Sequence, residues 1–205
     1  MPSKHSKKSF VSRRDILKSA AATGLVGAFL PLVSAFSERS RVLIRAENEK
    51  PGTSDWLLKN TRVDPKTKFR CPWIEGYCSH TSIRAGEALA IMVSTNPASP
   101  FVIDLYRMGY YGGKGGRHVA RLGPFQGTAQ PDPPIGEERL RECRWEPCTK
   151  ITIQKDWPSG VYLGKLTAEK EGLQSYIVFI VRDDRRCDFI FQCSSLNFPR
   201  QSFST

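Results

Sequence analysis

Arg107, Tyr110, Tyr111, Lys114 and Arg117 crowd into one short stretch around Gly112-Gly113-Lys114-Gly115-Gly116. Aromatic faces beside guanidinium groups can stack against sugars or unpaired bases. These five residues are therefore the candidate binding site, with a glycan or acidic polymer as the class of ligand. The glycines around Lys114 invite a phosphate-binding reading, but the detail fails. A P-loop needs Ser or Thr after the lysine so that a hydroxyl reaches the metal, and Gly115 stands there. A dinucleotide fingerprint needs a third glycine opening a helix, and the strand-like stretch from His118 stands there instead. The plainer expectation is a wide hairpin loop whose glycines adopt positive φ and whose rings anchor it.

Other chemistry is sparse. The three histidines are His5, His80 and His118, far apart in sequence, and no G-x-S-x-G elbow occurs. The six cysteines, Cys71, Cys78, Cys143, Cys148, Cys187 and Cys193, contain no C-x2-C pair, which argues against zinc. Cys143 with Cys148, or Cys71 with Cys78, are the disulfides that proximity in sequence suggests, among 15 connectivities open to six cysteines. The residues nominate no catalytic group and no metal site.

The elements that must carry the glycine loop read as strands. Ile74–Cys78, Glu87–Thr95, Phe101–Met108, His118–Leu122, Arg141–Trp145, Lys150–Gln154, Val161–Ala168 and Gln174–Arg182 are extended candidates separated by Gly, Pro and Asn turns. No window after residue 35 keeps a helical period. Eight short strands at this spacing predict an all-β, immunoglobulin-like antiparallel β-sandwich. Lys170-Glu171-Gly172 turns the last two strands into a hairpin. Tyr176–Val181 is apolar at both parities, so it is buried on both faces or packs one face on another domain.

The chain has 205 residues with 40% hydrophobic and 25% charged side chains, which excludes wholesale disorder. Its net charge of +11 is unevenly spread. Residues 1–35 hold six basic side chains against one acidic, a net +5; the other 170 residues hold 25 against 19, a net +6. The first segment reads as an export leader. Ser12-Arg13-Arg14-Asp15-Ile16-Leu17-Lys18 fits the bacterial twin-arginine pattern, the apolar stretch Ala20–Phe36 comes next, and Val33-Ser34-Ala35 is a small-residue cleavage signature. Gly24, Gly27 and Pro31 break the apolar stretch, so no permanent membrane span is expected. The expected order is leader 1–35, polar lead-in 36–66 with Trp56-Leu57-Leu58 docking on the domain, sandwich 67–184, and 185–205 as the start of another domain. Export through the twin-arginine machinery to the periplasm or outside removes the protein from the chromosome, and the body has no concentrated basic tract. Nucleic acid is therefore not an expected partner.

Several runs resemble one family: Ile74-Glu75-Gly76-Tyr77-Cys78-Ser79, Ile103-Asp104-Leu105-Tyr106-Arg107-Met108-Gly109-Tyr110-Tyr111-Gly112-Gly113, Asp156-Trp157-Pro158-Ser159-Gly160-Val161-Tyr162-Leu163, and Gln174-Ser175-Tyr176-Ile177-Val178-Phe179-Ile180-Val181-Arg182-Asp183-Asp184. About residues 47–193 look like the N-terminal part of exported proteins similar to the large (beta) subunit of N,N-dimethylformamidase. The resemblance implies a β-sandwich followed by a larger α/β domain of glutamine-amidotransferase-like shape. In the amidase, that later domain holds a mononuclear iron on tyrosines and a glutamate and hydrolyses a substituted formamide. Those ligands belong to segments C-terminal to anything present here, so no catalytic residue carries over and Tyr110 and Tyr111 are not matched to the iron tyrosines. The implied cofactor, iron, and the implied partner, an amidase-like domain, both lie beyond this chain. The family's Trp-, Tyr- and Asn-rich continuation is replaced by Ser195–Thr205, which implies a frame truncated or shifted near residue 194. The resulting expectation is a non-catalytic sandwich that docks on its missing partner domain through Tyr176–Val181. The alternative is an exported binding module using the five loop residues.

Overall fold

The computed structural model describes residues 43–64, 70–136 and 141–185. These lie within the second of two units into which the chain divides, Met1–Ala35 and Phe36–Thr205. The expected leader, and all but the first residue of the expected C-terminal stub, lie outside the described residues.

Eight strands form two sheets. β1 (Glu75–Cys78), β3 (Ala88–Ser94) and β6 (Pro147–Thr152) make a three-stranded sheet in the order β1-β3-β6. β2 (Ser82–Arg84), β4 (Pro100–Met108), β5 (Gly116–Gln126), β7 (Gly160–Ala168) and β8 (Gln174–Arg182) make a five-stranded sheet in the order β2-β8-β7-β4-β5. All pairings are antiparallel except β2 with β8. The all-β sandwich expected from strand spacing is what forms.

The core lies between the sheets and arises from the alternation of side chains along each strand. Leu89, Ile91 and Val93 of β3 face Phe101, Ile103 and Leu105 of β4, Tyr162 and Leu166 of β7, and Ile177, Phe179 and Val181 of β8. Tyr162 and Phe179 are cross-strand partners, and their rings stack at 5.4 Å. Gly164 is the partner of Ile177, and a Cβ there would come within 2.5 Å of the isoleucine side chain. A glycine is thus what lets Ile177 lie flat across β7.

Three local expectations change. Ser82–Arg84 is a strand too short to stand out in the sequence. Arg141–Trp145 is not a strand. Its backbone and ring are used elsewhere: Trp145 donates its backbone N–H to the Tyr77 hydroxyl and its indole N–H to the Pro131 carbonyl. β5 also runs past the expected Leu122 to Gln126, through the Gly123-Pro124 pair expected to end it.

The polar lead-in packs on the sandwich. A helical turn over 43–48 leads into a strap. Thr53 bridges Gly116 on the free edge of β5. The Lys165 ammonium donates to the Asp55 carbonyl, and the Tyr176 hydroxyl to the Trp56 carbonyl. Asn60 accepts the backbone N–H of Gln174 on its carbonyl at 2.8 Å. The strap therefore crosses the outer side of the five-stranded sheet from β5 to the start of β8. Tyr176–Val181 is buried on alternate residues, Ile177, Phe179 and Val181, while Tyr176, Val178 and Ile180 are half-buried on the strap side.

Candidate functional site

The glycine loop, the end of β4, the start of β7 and the helical turn over 43–48 meet at one end of the sandwich. Arg107 is near the end of β4, 5% exposed, and points between the sheets rather than to solvent. Its guanidinium donates to the Tyr111 hydroxyl at 2.8 Å and to the Ser159 carbonyl at 2.8 Å. The Tyr111 hydroxyl in turn donates to Glu47 Oε1 at 2.8 Å, and Arg117 Nε donates to the same oxygen at 2.7 Å. Lys50 closes the set on Glu47 Oε2 at 2.7 Å. Glu47 is 2% exposed, so its charge is admissible only because three donors meet it. Burial alone would raise its pKa; the hydrogen bonds from Lys50, Tyr111 and Arg117 more than offset that and hold it below the usual carboxylate value. Burial pushes the Tyr111 phenol up, so it stays a neutral donor.

Backbone geometry bends to this arrangement. Tyr111 has φ 41°, a left-handed conformation that a bulky side chain rarely adopts. The strain is held by the two hydrogen bonds on its hydroxyl. Gly116 is a glycine for a different reason: a Cβ there would lie 2.7 Å from the Trp56 ring. Trp56 covers this part of the loop and donates its indole N–H to the Lys114 carbonyl at 3.0 Å. The expected docking of Trp56 is therefore the reason part of the loop is glycine.

The five candidate residues divide. Arg107 and Tyr111 are buried, and Arg117 is largely covered; Tyr111 links Arg107 to Glu47, which also holds Arg117, while Arg107 Nε has no hydrogen-bond partner among the described residues. Tyr110 is 70% exposed, and its backbone N–H is fixed by Asn48 Oδ1 at 3.1 Å. Lys114 is exposed. Glu47, the hub of the network, carries no sequence signal that would pick it out from the other acidic residues of the lead-in.

A second polar group lies on the outer side of the sheet. His118, solitary in sequence, has Nε2 3.2 Å from Asp104 Oδ1, and Arg121 lies 3.5 Å from Asp104 Oδ2. The Tyr106 ring meets the His118 ring edge-on at 5.2 Å, and burial, then Asp104, push its phenol up to about 12. Among the described residues no hydroxyl or thiol is hydrogen-bonded to His118, so this is an oriented histidine without a nucleophile. His80 contacts the Ser79 hydroxyl at 3.0 Å, and that oxygen accepts the Ala90 N–H. Among the described residues no group of three or more His, Cys, Asp or Glu side chains could hold a metal ion.

The expected disulfides are absent: Cys71, Cys78, Cys143 and Cys148 are free thiols. Both proposed pairs join residues with different surroundings. Cys78 and Cys148 pack against the core cluster, which does not include Cys71 or Cys143. The Cys148 thiol contacts the Ile91 carbonyl at 3.1 Å. Burial pushes the Cys78 thiol up to about 12 and the Cys148 thiol up to about 11. Because the thiolate is the reactive form, iodoacetamide at pH 8 is expected to modify Cys148 about a hundredfold, and Cys78 about a thousandfold, more slowly in folded than in urea-unfolded protein. Peptide mass spectrometry over a labelling time course reads this, and equal rates would refute it.

Together these features define a two-sheet β-sandwich module whose Tyr-Gly loop is locked under an N-terminal strap. Residues 102–198 match the family described as N,N-dimethylformamidase beta subunit-like, C-terminal. The chain resembles that family over these residues; the match begins inside β4 and continues beyond β8. No curated protein matches the chain. Among solved structures, the PKD domain of an M14-like peptidase from Thermoplasmatales archaeon SCGC AB-540-F20 aligns at 11% identity. That alignment covers 53% of this chain and 87% of that one, with a TM-score of 0.28. Among the described residues no helix is long and apolar enough to cross a membrane.

Proposed function

We propose that this chain supplies the catalytically silent β-sandwich portion of an exported, dimethylformamidase-like amide hydrolase. One observation carries the silence. Glu47, Arg107, Tyr111 and Arg117 are held in hydrogen bonds to one another and to the backbone, so none of these four is poised to take or give a proton to a bound amide. The match to the family's sequence through β4–β8 supports the parentage. Of the binding-module alternative's five residues, Tyr110 and Lys114 keep exposed side chains. Export rests on the Arg13-Arg14 leader.

The purified full chain, with ferrous iron added, is expected to release no dimethylamine from N,N-dimethylformamide above the protein-free rate. Turnover that scales with protein concentration would overturn the reading.

A further inference from the structure

The charge of Arg107 is not directly answered. At 5% exposure its guanidinium meets neutral acceptors among the described residues: the Met108 carbonyl at 3.4 Å, the Tyr111 hydroxyl and the Ser159 carbonyl. Glu47 stands one hydroxyl further away, beyond Tyr111. Arg107 Nε is buried and finds no acceptor among the described residues. A buried charged donor left unpaired is costly, and folded proteins seldom keep one without a water or an ion to meet it.

A second guanidinium beside it repeats the pattern. Arg185, just past β8, donates from Nη2 to the Ser159 hydroxyl at 2.9 Å and from Nε to Asp183 at 2.5 Å. Its Nη1 is buried and also lacks an acceptor among the described residues, although a third of the side chain is exposed. Ser159 thus holds both cations, Arg107 on its carbonyl and Arg185 on its hydroxyl. Nε and Nη2 share one edge of the planar guanidinium fork, so the orphan N–H of Arg107 lies along the edge that meets Ser159. Gly160 leaves room for this approach: a Cβ there would lie 3.2 Å from Arg107 Nη2 and 3.4 Å from Nε. Around these contacts Arg107, Arg117, Arg185 and Lys50 face Glu47 and Asp183, four cations against two carboxylates.

We propose that Arg107, Ser159 and Arg185 form a binding site for a carboxylate, whose two oxygens take the Arg107 Nε and Arg185 Nη1 donors. A carboxylate supplies one oxygen to each guanidinium and matches guanidinium geometry. Phosphate would bring more charge and more oxygens than two donors satisfy. The ligand enters beside Ser159 and Gly160, both partly exposed, on the side where Arg185 reaches solvent. The site does not depend on the amide-hydrolase reading and stands with or without it.

Acetate is the probe, titrated at pH 7 into the full chain labelled with nitrogen-15 arginine, against sodium chloride at equal ionic strength. The Nε–H resonances of Arg107 and Arg185 are followed by NMR, and Arg107→Lys and Arg185→Gln assign them. Acetate is expected to shift both resonances saturably, at least several-fold further than chloride does. Arg185→Gln leaves Arg107 in place, and the acetate needed for half of the Arg107 shift should rise about tenfold. A shift that never saturates, one that chloride reproduces, or one unchanged in Arg185→Gln would overturn the proposal. Phosphate acting at lower concentration than acetate would overturn the choice of a carboxylate. Thermal unfolding is the second measurement: saturating acetate should raise the midpoint above that in chloride for the wild type and not for Arg185→Gln. The same midpoint in both salts for the wild type would equally overturn it.

Discussion

Replacing Tyr162 by alanine is expected to cost about 3–5 kcal/mol of stability, the range for removing a large buried ring. Tyr162 is fully buried and stacks between Trp157 at 5.2 Å and Phe179 at 5.4 Å, with interplanar angles of 9° and 16°. Its hydroxyl also donates to the Pro158 carbonyl at 2.7 Å, closing the turn that feeds β7. Alanine would leave a cavity walled by the Trp157 and Phe179 rings, and strand pairing fixes Phe179, which limits how far the site can collapse. The control separates packing from the polar contact: Tyr162→Phe keeps the stack and is expected to lose about 1 kcal/mol. Thermal unfolding by circular dichroism reads both. A midpoint lowered by on the order of 10 °C or more for alanine, and by a few degrees for phenylalanine, is the expected pattern. Similar losses for both would show that the hydroxyl, not the ring stack, matters.

The second large effect is local. Glu47→Ala removes the only carboxylate in the Lys50–Tyr111–Arg117 cluster and leaves buried donors without their acceptor. Breaking a buried ion pair from one side costs about 3–5 kcal/mol. Arg117 keeps a fifth of its side chain in water and can turn outward, so the low end of that range, about 3 kcal/mol, is expected. The cost falls on the attachment of the lead-in. Amides of 43–50 should exchange about a hundredfold faster, while those of β7 and β8 stay protected. The Trp56 anchor is separate, so residues 53–58 should change less. The wild-type attachment should also weaken in acid. The Glu47 pKa lies below its ordinary 4.5 in the folded protein. Its contribution is therefore complete above about pH 4.5 and lost as pH falls through the depressed folded value. Exchange at 43–50 that is equally fast in Glu47→Ala and wild type at pH 7, or indifferent to acid in wild type, would refute the role of Glu47.

Much of this architecture is legible in the sequence because strands write themselves in period two. Gln174–Arg182 has its predicted bounds, since Ile177, Phe179 and Val181 alternate against residues that face the strap. The glycine loop's conformation is also readable, since Gly112, Gly113 and Gly115 adopt the positive φ expected of a wide hairpin loop. What the sequence hides is long-range pairing. Glu47 is one of several acids in a polar stretch, and only folding brings it to Tyr111 from 64 residues away. The disulfide expectation fails for the same reason: nearness along the chain says nothing about which side of a strand a cysteine faces, and Cys148 faces the core while Cys143 does not. Ser82–Arg84 is three residues long and has no periodicity to detect.

The chain of contacts from Glu47 through Tyr111, Arg107 and Ser159 to Arg185 has a mechanical meaning. A module threaded like a bead takes tension along its length, through its β-ladders. Here polypeptide arriving at residue 43 and departing at residue 185 is held by a few side-chain bonds in series at one pole. A pull on the two ends would load that short clasp first and the sheets only after it has opened. The sandwich thus hangs from its flanking chain as a pendant, able to be released at its neck without being unravelled.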